Sequence, residues 1–202
     1  MSKQVYISAD YDATNGDTDV VDELHRWAED NKHLVDFVDM AEVVSGSVSK
    51  NSDCRICDLK AEFNSQIYYS SACIFVVGDM TKYRNAGSTC KRHGGGYPCD
   101  CTPYKQNTNG TRTCKHPITY SSKSDGDIGI INTYSYLEHE FRQAVRRNKT
   151  IIIVYNSMRK ESSWMPDYMS GYESVAEPFW ITNGRGNRVG DYDFIKQALG
   201  YE

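Results

Sequence analysis

The run from Tyr134 to Tyr155, YSYLEHEFRQAVRRNKTIIIVY, constrains the fold more than any other part of the chain, because it joins a helix directly to a strand without polar alternation. That strand is Thr150, Ile151, Ile152, Ile153, Val154 and Tyr155, and a strand apolar on both sides must be covered on both sides. The expectation is a central parallel strand in an α/β sheet. In the preceding helix Tyr134, Leu137, Phe141, Ala144 and Val145 recur at helical spacing and form the stripe expected to lie on the sheet, with Arg146, Arg147 and Lys149 at its basic end. Glu138 and Glu140 fall on opposite flanks of that stripe, where a carboxylate is half wet and half covered.

Further elements follow from the same patterning. Residues 4–8 read as a short apolar strand, 17–31 as a helix with Val20, Val21, Leu24 and Trp27 inward, and 33–39 as a second strand whose Asp36 suits a place near a sheet edge. Residues 42–52 are a polar loop, a helix is expected over 55–69, and ACIFVVG at 72–78 is a second fully apolar strand, the natural neighbour of the first. After the Ile151 strand come a short strand at 178–182 and a last helix at 192–199. Five strands alternating with helices through right-handed crossovers predict a flavodoxin-like parallel sheet of order 2-1-3-4-5, with its ligand crevice at the carboxyl ends of strands 1 and 3.

Between strand 3 and the Tyr134 helix, residues 82–132 lose apolar periodicity, a length unusual for a connection inside one domain. They read as a cysteine-rich insertion within a single domain spanning 1–202. Cys90, Cys99, Cys101 and Cys114 stand there beside His93 and His116, and a segment so poor in apolar residues needs a support other than a core. A structural zinc on those four cysteines would supply it, although the spacing lacks paired C-x-x-C knuckles, and the alternative is a loop with incidental thiols. Cys54 and Cys57 do form C-x-x-C, but without the preceding strand of a thioredoxin arrangement. Cys73 reads as a small buried hydrophobe.

With a net charge of −4 and scattered basic residues, nothing suggests a phosphate-tracking surface, so nucleic acid is not an expected partner. No stretch reaches signal-peptide or membrane-spanning length, and seven cysteines is an odd number, so the expectation is a cytoplasmic protein with reduced thiols and no membrane contact.

Four segments, VYISADYD, DFVDMAEVVSGS, DLKAEFNSQIYYSSACIFVVGDMT and SYLEHEFRQAVRRNKTIIIVY, resemble the TIR domain superfamily, most closely the TIR-like proteins of bacterial Thoeris antiphage systems. In NAD-consuming TIR domains a helix glutamate stands four residues before a small residue and nine before a basic residue opening the fourth strand, a register that Glu140, Ala144 and Lys149 share and Glu138 does not. Where many TIR enzymes have a serine and a cysteine this chain has Tyr134 and Leu137, while Tyr136 and Leu137 match the aromatic and aliphatic pair of the TIR-like subset. The resemblance implies NAD as substrate, cleavage of its nicotinamide-ribose bond, and a cyclic or conjugated ADP-ribose signal. It also implies partners: a nucleotide-sensing effector protein, a phage component as trigger, and a homo-oligomer.

The chemistry suits one carboxylate. Breaking that bond builds positive charge on the ribose, which a fixed Glu140 would stabilise, and nicotinamide departs as a neutral base needing no proton. Ser8, Asp10 and Tyr11, just past strand 1, would bind substrate from the other side of the crevice, Ser45 and Gly46 belong to a loop that could close over it, and Tyr136 could wall a ring. Bland roles stand beside these: Glu140 as a solvated surface charge, Asp10 and Asp12 as turn formers, Tyr136 as packing. A non-catalytic TIR scaffold acting through self-association is the alternative function. A receiver-like phospho-acceptor built on Asp10, Asp12 and Asp79 is weaker, because the fifth strand ends in Asn183 without the lysine such a module requires.

Overall fold

The computed structural model describes residues 3–11, 14, 16–29, 35–39, 52–84, 105–106, 112–113 and 135–201, with backbone only for 52–58, 60–61, 105–106 and 112–113. Strand β1 (Lys3–Ser8) leads to helix α1 (Asp17–Glu29), β2 (Val35–Asp39), α2 (Ser52–Tyr69) and β3 (Ala72–Val77). Helix α3 (Tyr136–Arg146) and β4 (Thr150–Tyr155) follow, then β5 (Glu177–Pro178), a hairpin of β6 (Trp180–Thr182) and β7 (Arg188–Gly190), and helix α4 (Tyr192–Ala198). The five strands β2-β1-β3-β4-β5 form one parallel sheet in that order, as the alternating pattern predicts. Within the expected insertion, Lys105–Gln106 pairs antiparallel with Arg112–Thr113, and the remainder past Arg84 lies outside the described residues. Among the described residues no helix is long and apolar enough to cross a membrane.

Strand parity sorts the core into two layers, because successive side chains leave opposite faces of a strand. Val5, Ile7, Ile74, Val76, Ile152 and Val154 meet Val20, Val21 and Leu24 of α1 and Ile195 of α4 on one face. Tyr6, Cys73, Phe75, Val77, Ile153 and Tyr155 meet Ile67 of α2 and Phe141 and Ala144 of α3 on the other. Both faces of β1, β3 and β4 are thereby covered, which is why their sequences carry so little polar alternation. β2 lies at the sheet edge, where its exposed Asp36 costs nothing.

Local signals place α3. The Ser135 hydroxyl accepts from the Glu138 amide at 2.8 Å and caps the first turn. At the other end Asn148 takes φ 52°, a left-handed position that asparagine tolerates, and the Lys149 amide returns to the Ala144 carbonyl at 3.0 Å. The chain therefore turns at once from helix into β4.

Three expectations are corrected. Val145 is 40 % exposed and does not join the inward stripe, whereas Leu137, His139, Glu140, Phe141, Gln143 and Ala144 are buried. The buried arc is wider than one stripe because α3 touches α2 as well as the sheet: His139 Nε2 lies 2.9 Å from Asn64 Oδ1, and Tyr136 packs edge-on against Phe63. Tyr134 lies outside the described residues. The flank position expected to leave Glu140 half wet instead buries it completely, because α3 also lies over β1, whose Tyr6 and Ser8 stand beside the carboxyl. The single strand expected at 178–182 is two: β5 pairs with β4, and past Phe179 the chain leaves the sheet to make β6, whose partner is β7. Phe179 is the pivot, its amide donating to the Tyr155 carbonyl at 2.9 Å and its own carbonyl accepting from Asp191 at 2.7 Å.

Gly78, directly after β3, has no room for a side chain: a Cβ there would stand 2.6 Å from Asp17 Oδ1 and 2.8 Å from Asn156 Nδ2. We expect Gly78→Ala to cost about 1–3 kcal/mol, lowering the urea midpoint without changing the slope. An unchanged midpoint would show that this junction is loosely packed.

Candidate active site

Tyr6 and Ser8 are two residues apart on β1, so both project toward α3, and Glu140 of α3 comes down onto that face. The Glu140 carboxyl is 0 % exposed. Burial pushes its pKa up from 4.5 to about 8, and the nearby Ser8 and Tyr6 hydroxyls offset only part of that cost. Although both hydroxyls are close enough to act on the carboxyl, none of the contacts closes with hydrogen-bond geometry, leaving Tyr6 Oη, Ser8 Oγ and both Glu140 oxygens without a partner. Four orphaned polar atoms in one enclosed spot is a costly arrangement, at about 1–3 kcal/mol for each such group. The Tyr6 phenol is raised well above its ordinary range by burial and then by Glu140, so it keeps its proton and remains a donor. Cys73, beside them, is pushed up to about 12 chiefly by burial and stays a thiol.

At the carboxyl edge of β1 the remaining residues expected in the site take other partners. Asp10 forms an ion pair with Arg84, and its amide donates to Asp17 Oδ2 at 3.2 Å. Asp17 is buried at the start of α1, its pKa raised to about 7 by burial against the opposing effects of the Asp10 amide and the Asn156 side chain, which donates to it. This buckle joins the ends of β1 and β4. Tyr11 packs half-buried against the α1 layer. Tyr136 lies with its ring centroid 5.6 Å from that of Phe63. Lys149, just before β4 at the amino edge of the sheet, donates to the carbonyls of Tyr68 and Ser70 at 2.8 and 2.6 Å.

The structure thus brings together Glu140 and Ser8, adds Tyr6, and leaves Asp10, Tyr11 and Tyr136 in neighbouring positions with partners of their own. Ser45, Gly46, Asp12, Cys90, Cys99, Cys101 and Cys114 lie outside the described residues. Among the described residues no three His, Cys, Asp or Glu side chains are grouped to hold a metal ion. Tyr6, Asp17 and Asn156 were not singled out by sequence reasoning. The signal for Tyr6 was its parity with Ser8, and for Asp17 an acidic residue opening a helix after Gly16, which has φ 78°. No protein-family model, curated protein or solved structure matches this chain.

Protonation of Glu140 is linked to stability with a definite sign. Its folded pKa lies above the unfolded one, so the folded chain keeps a proton that the unfolded chain loses, and stability falls as pH rises from 4.5 to about 8. The contribution to that slope is at most about 1.4 kcal/mol per pH unit. We expect Glu140→Gln to flatten the decline measured by urea titration between pH 5 and 8 (~3 pH units, within the linkage window) and to leave the variant more stable than the parent at the alkaline end. The residual slope belongs partly to Asp17. Parallel curves for parent and variant would mean that Glu140 ionises normally.

Proposed function

We propose that this chain is a TIR-like enzyme that cleaves the nicotinamide-ribose bond of NAD and transfers the ADP-ribosyl group to water, to its own adenine or to a second metabolite, making a signal for antiphage defence. The observation that carries this reading is the inward-facing Glu140, enclosed beside Tyr6 and Ser8 with neither oxygen partnered. A scaffold needs no such group, and keeping one works against stability. An enzyme that must meet a developing cation does need it.

The proposed chemistry follows from the charges. Nicotinamide-ribose enters as a cation, which favours the ionised form of a carboxyl whose pKa is otherwise raised. Glu140 then accepts hydrogen bonds from the ribose hydroxyls and stabilises the positive charge that grows at the anomeric carbon as the C–N bond electrons leave with nicotinamide. The attacking atom forms the new bond to that carbon: water or a hydroxyl then gives up its proton to solvent, whereas an adenine ring nitrogen attacks through its lone pair and has no proton to lose. Tyr6 and Ser8, both protonated, stand beside the carboxyl as donors that close on it once it ionises. Because Glu140 has no exposed surface, substrate reaches it only when the enclosing side chains part, which fits an enzyme that stays idle until triggered.

The test is mass spectrometry of nucleotides from phage-infected cells expressing the chain or its Glu140→Gln variant. We expect NAD loss and a new ADP-ribose species with the parent, reduced about a hundredfold or more in the variant. Unchanged NAD in both, with protection against phage retained by the variant, would replace the enzyme with a self-associating scaffold.

A further inference from the structure

An open cavity lies at the amino edge of the sheet, where α2 and α3 end. It measures about 320 Å³ and is lined by Tyr68, Gln143, Arg146, Arg147 and Lys149. We propose that it binds an organic phosphate of nucleotide size, of the nucleoside diphosphate class, with a lining that does not include Glu140.

Three of the five lining side chains are cations and none is acidic, in a chain whose net charge is −4. Cations in the last turn of a helix offset its dipole, and that accounts for Arg146. It does not account for Arg147, whose guanidinium is held over the Tyr68 ring at 5.2 Å while its Nε is buried without a hydrogen-bond partner. An oriented guanidinium with an unused donor is matched by a phosphate oxygen, which takes it in a charge-assisted bond. Lys149 is immobilised by the carbonyls of Tyr68 and Ser70, so its charge sits at a fixed point on the cavity wall. The volume stands at the lower end of small-molecule pockets, roughly 300–1,000 Å³, which leaves room for more than a lone phosphate. Tyr68 is 58 % exposed, with Arg147 over its ring and Tyr69 edge-on to it at 5.1 Å, so an aromatic wall stands open to a base at the cavity mouth.

Calorimetric titration of the full chain with ADP and, separately, with inorganic pyrophosphate tests this. ADP should bind one to one and more tightly than pyrophosphate, and Arg147→Gln should weaken it about tenfold or more. Arg142→Gln removes the same charge one turn away, where Arg142 pairs with Glu138, and should leave the affinity unchanged. Tyr68→Leu, at an exposed position, should weaken ADP but not pyrophosphate, and it serves as the test if Arg147→Gln does not fold. Glu140→Gln should bind ADP as the parent does, so failure here is separable from failure of the NAD reading. No binding at millimolar ADP, equal losses in Arg142→Gln and Arg147→Gln, or a loss confined to Glu140→Gln would each overturn the proposal, and pyrophosphate binding as tight as ADP would remove its nucleotide part.

Discussion

A carboxyl placed between a helix and the strand beneath it must either keep its proton or find a positive partner, because an ionised oxygen pair without water is too costly to leave alone. Glu140 is in that position against β1, and its neighbours there are two hydroxyls and a thiol, none of which carries positive charge. The rest of the site follows from this constraint. Tyr6 and Ser8 have meaning because β1 parity turns them toward it, and the Asp17–Asn156 buckle ties together the carboxyl ends of β1 and β4.

Helix α3 sets both of the chain's chemical features through its polarity. Its first half, capped by Ser135, carries Glu140 toward the carboxyl half of β1, and its last turn carries Arg146 and Arg147 to the amino edge. An acid pushed toward neutrality and a group of fixed cations therefore sit on one helix, with the buried Gln143 and Ala144 between them. The left-handed turn at Asn148 then sends the chain directly into β4.

Much of the sheet could be read in advance because its strands announce themselves. ACIFVV and TIIIVY are apolar at every parity, and only a strand covered on both faces wants that. Asp36 marked the edge for a similar reason. The burial of Glu140 could not be read from a single helical stripe, since α3 lies across three strands of the sheet and its contact with β1 depends on the strand order. His139, which reaches Asn64 of α2, and the buried Gln143 are polar residues that blurred the pattern that would have shown it. The split after Pro178 was hidden because Phe179 and Trp180 are apolar whether or not the strand continues. Asp17 was missed because its burial depends on Asn156, distant in sequence and brought close only by the sheet order.

The most direct test of the account is the ionisation of Glu140 itself, read as the infrared carbonyl stretch of a protonated carboxyl in the parent minus Glu140→Gln difference spectrum across a pH titration. The account requires a band that persists at neutral pH and disappears with a midpoint of about 8. A difference band that vanishes near 4.5, the ordinary value, would place the carboxyl in water and contradict the buried site.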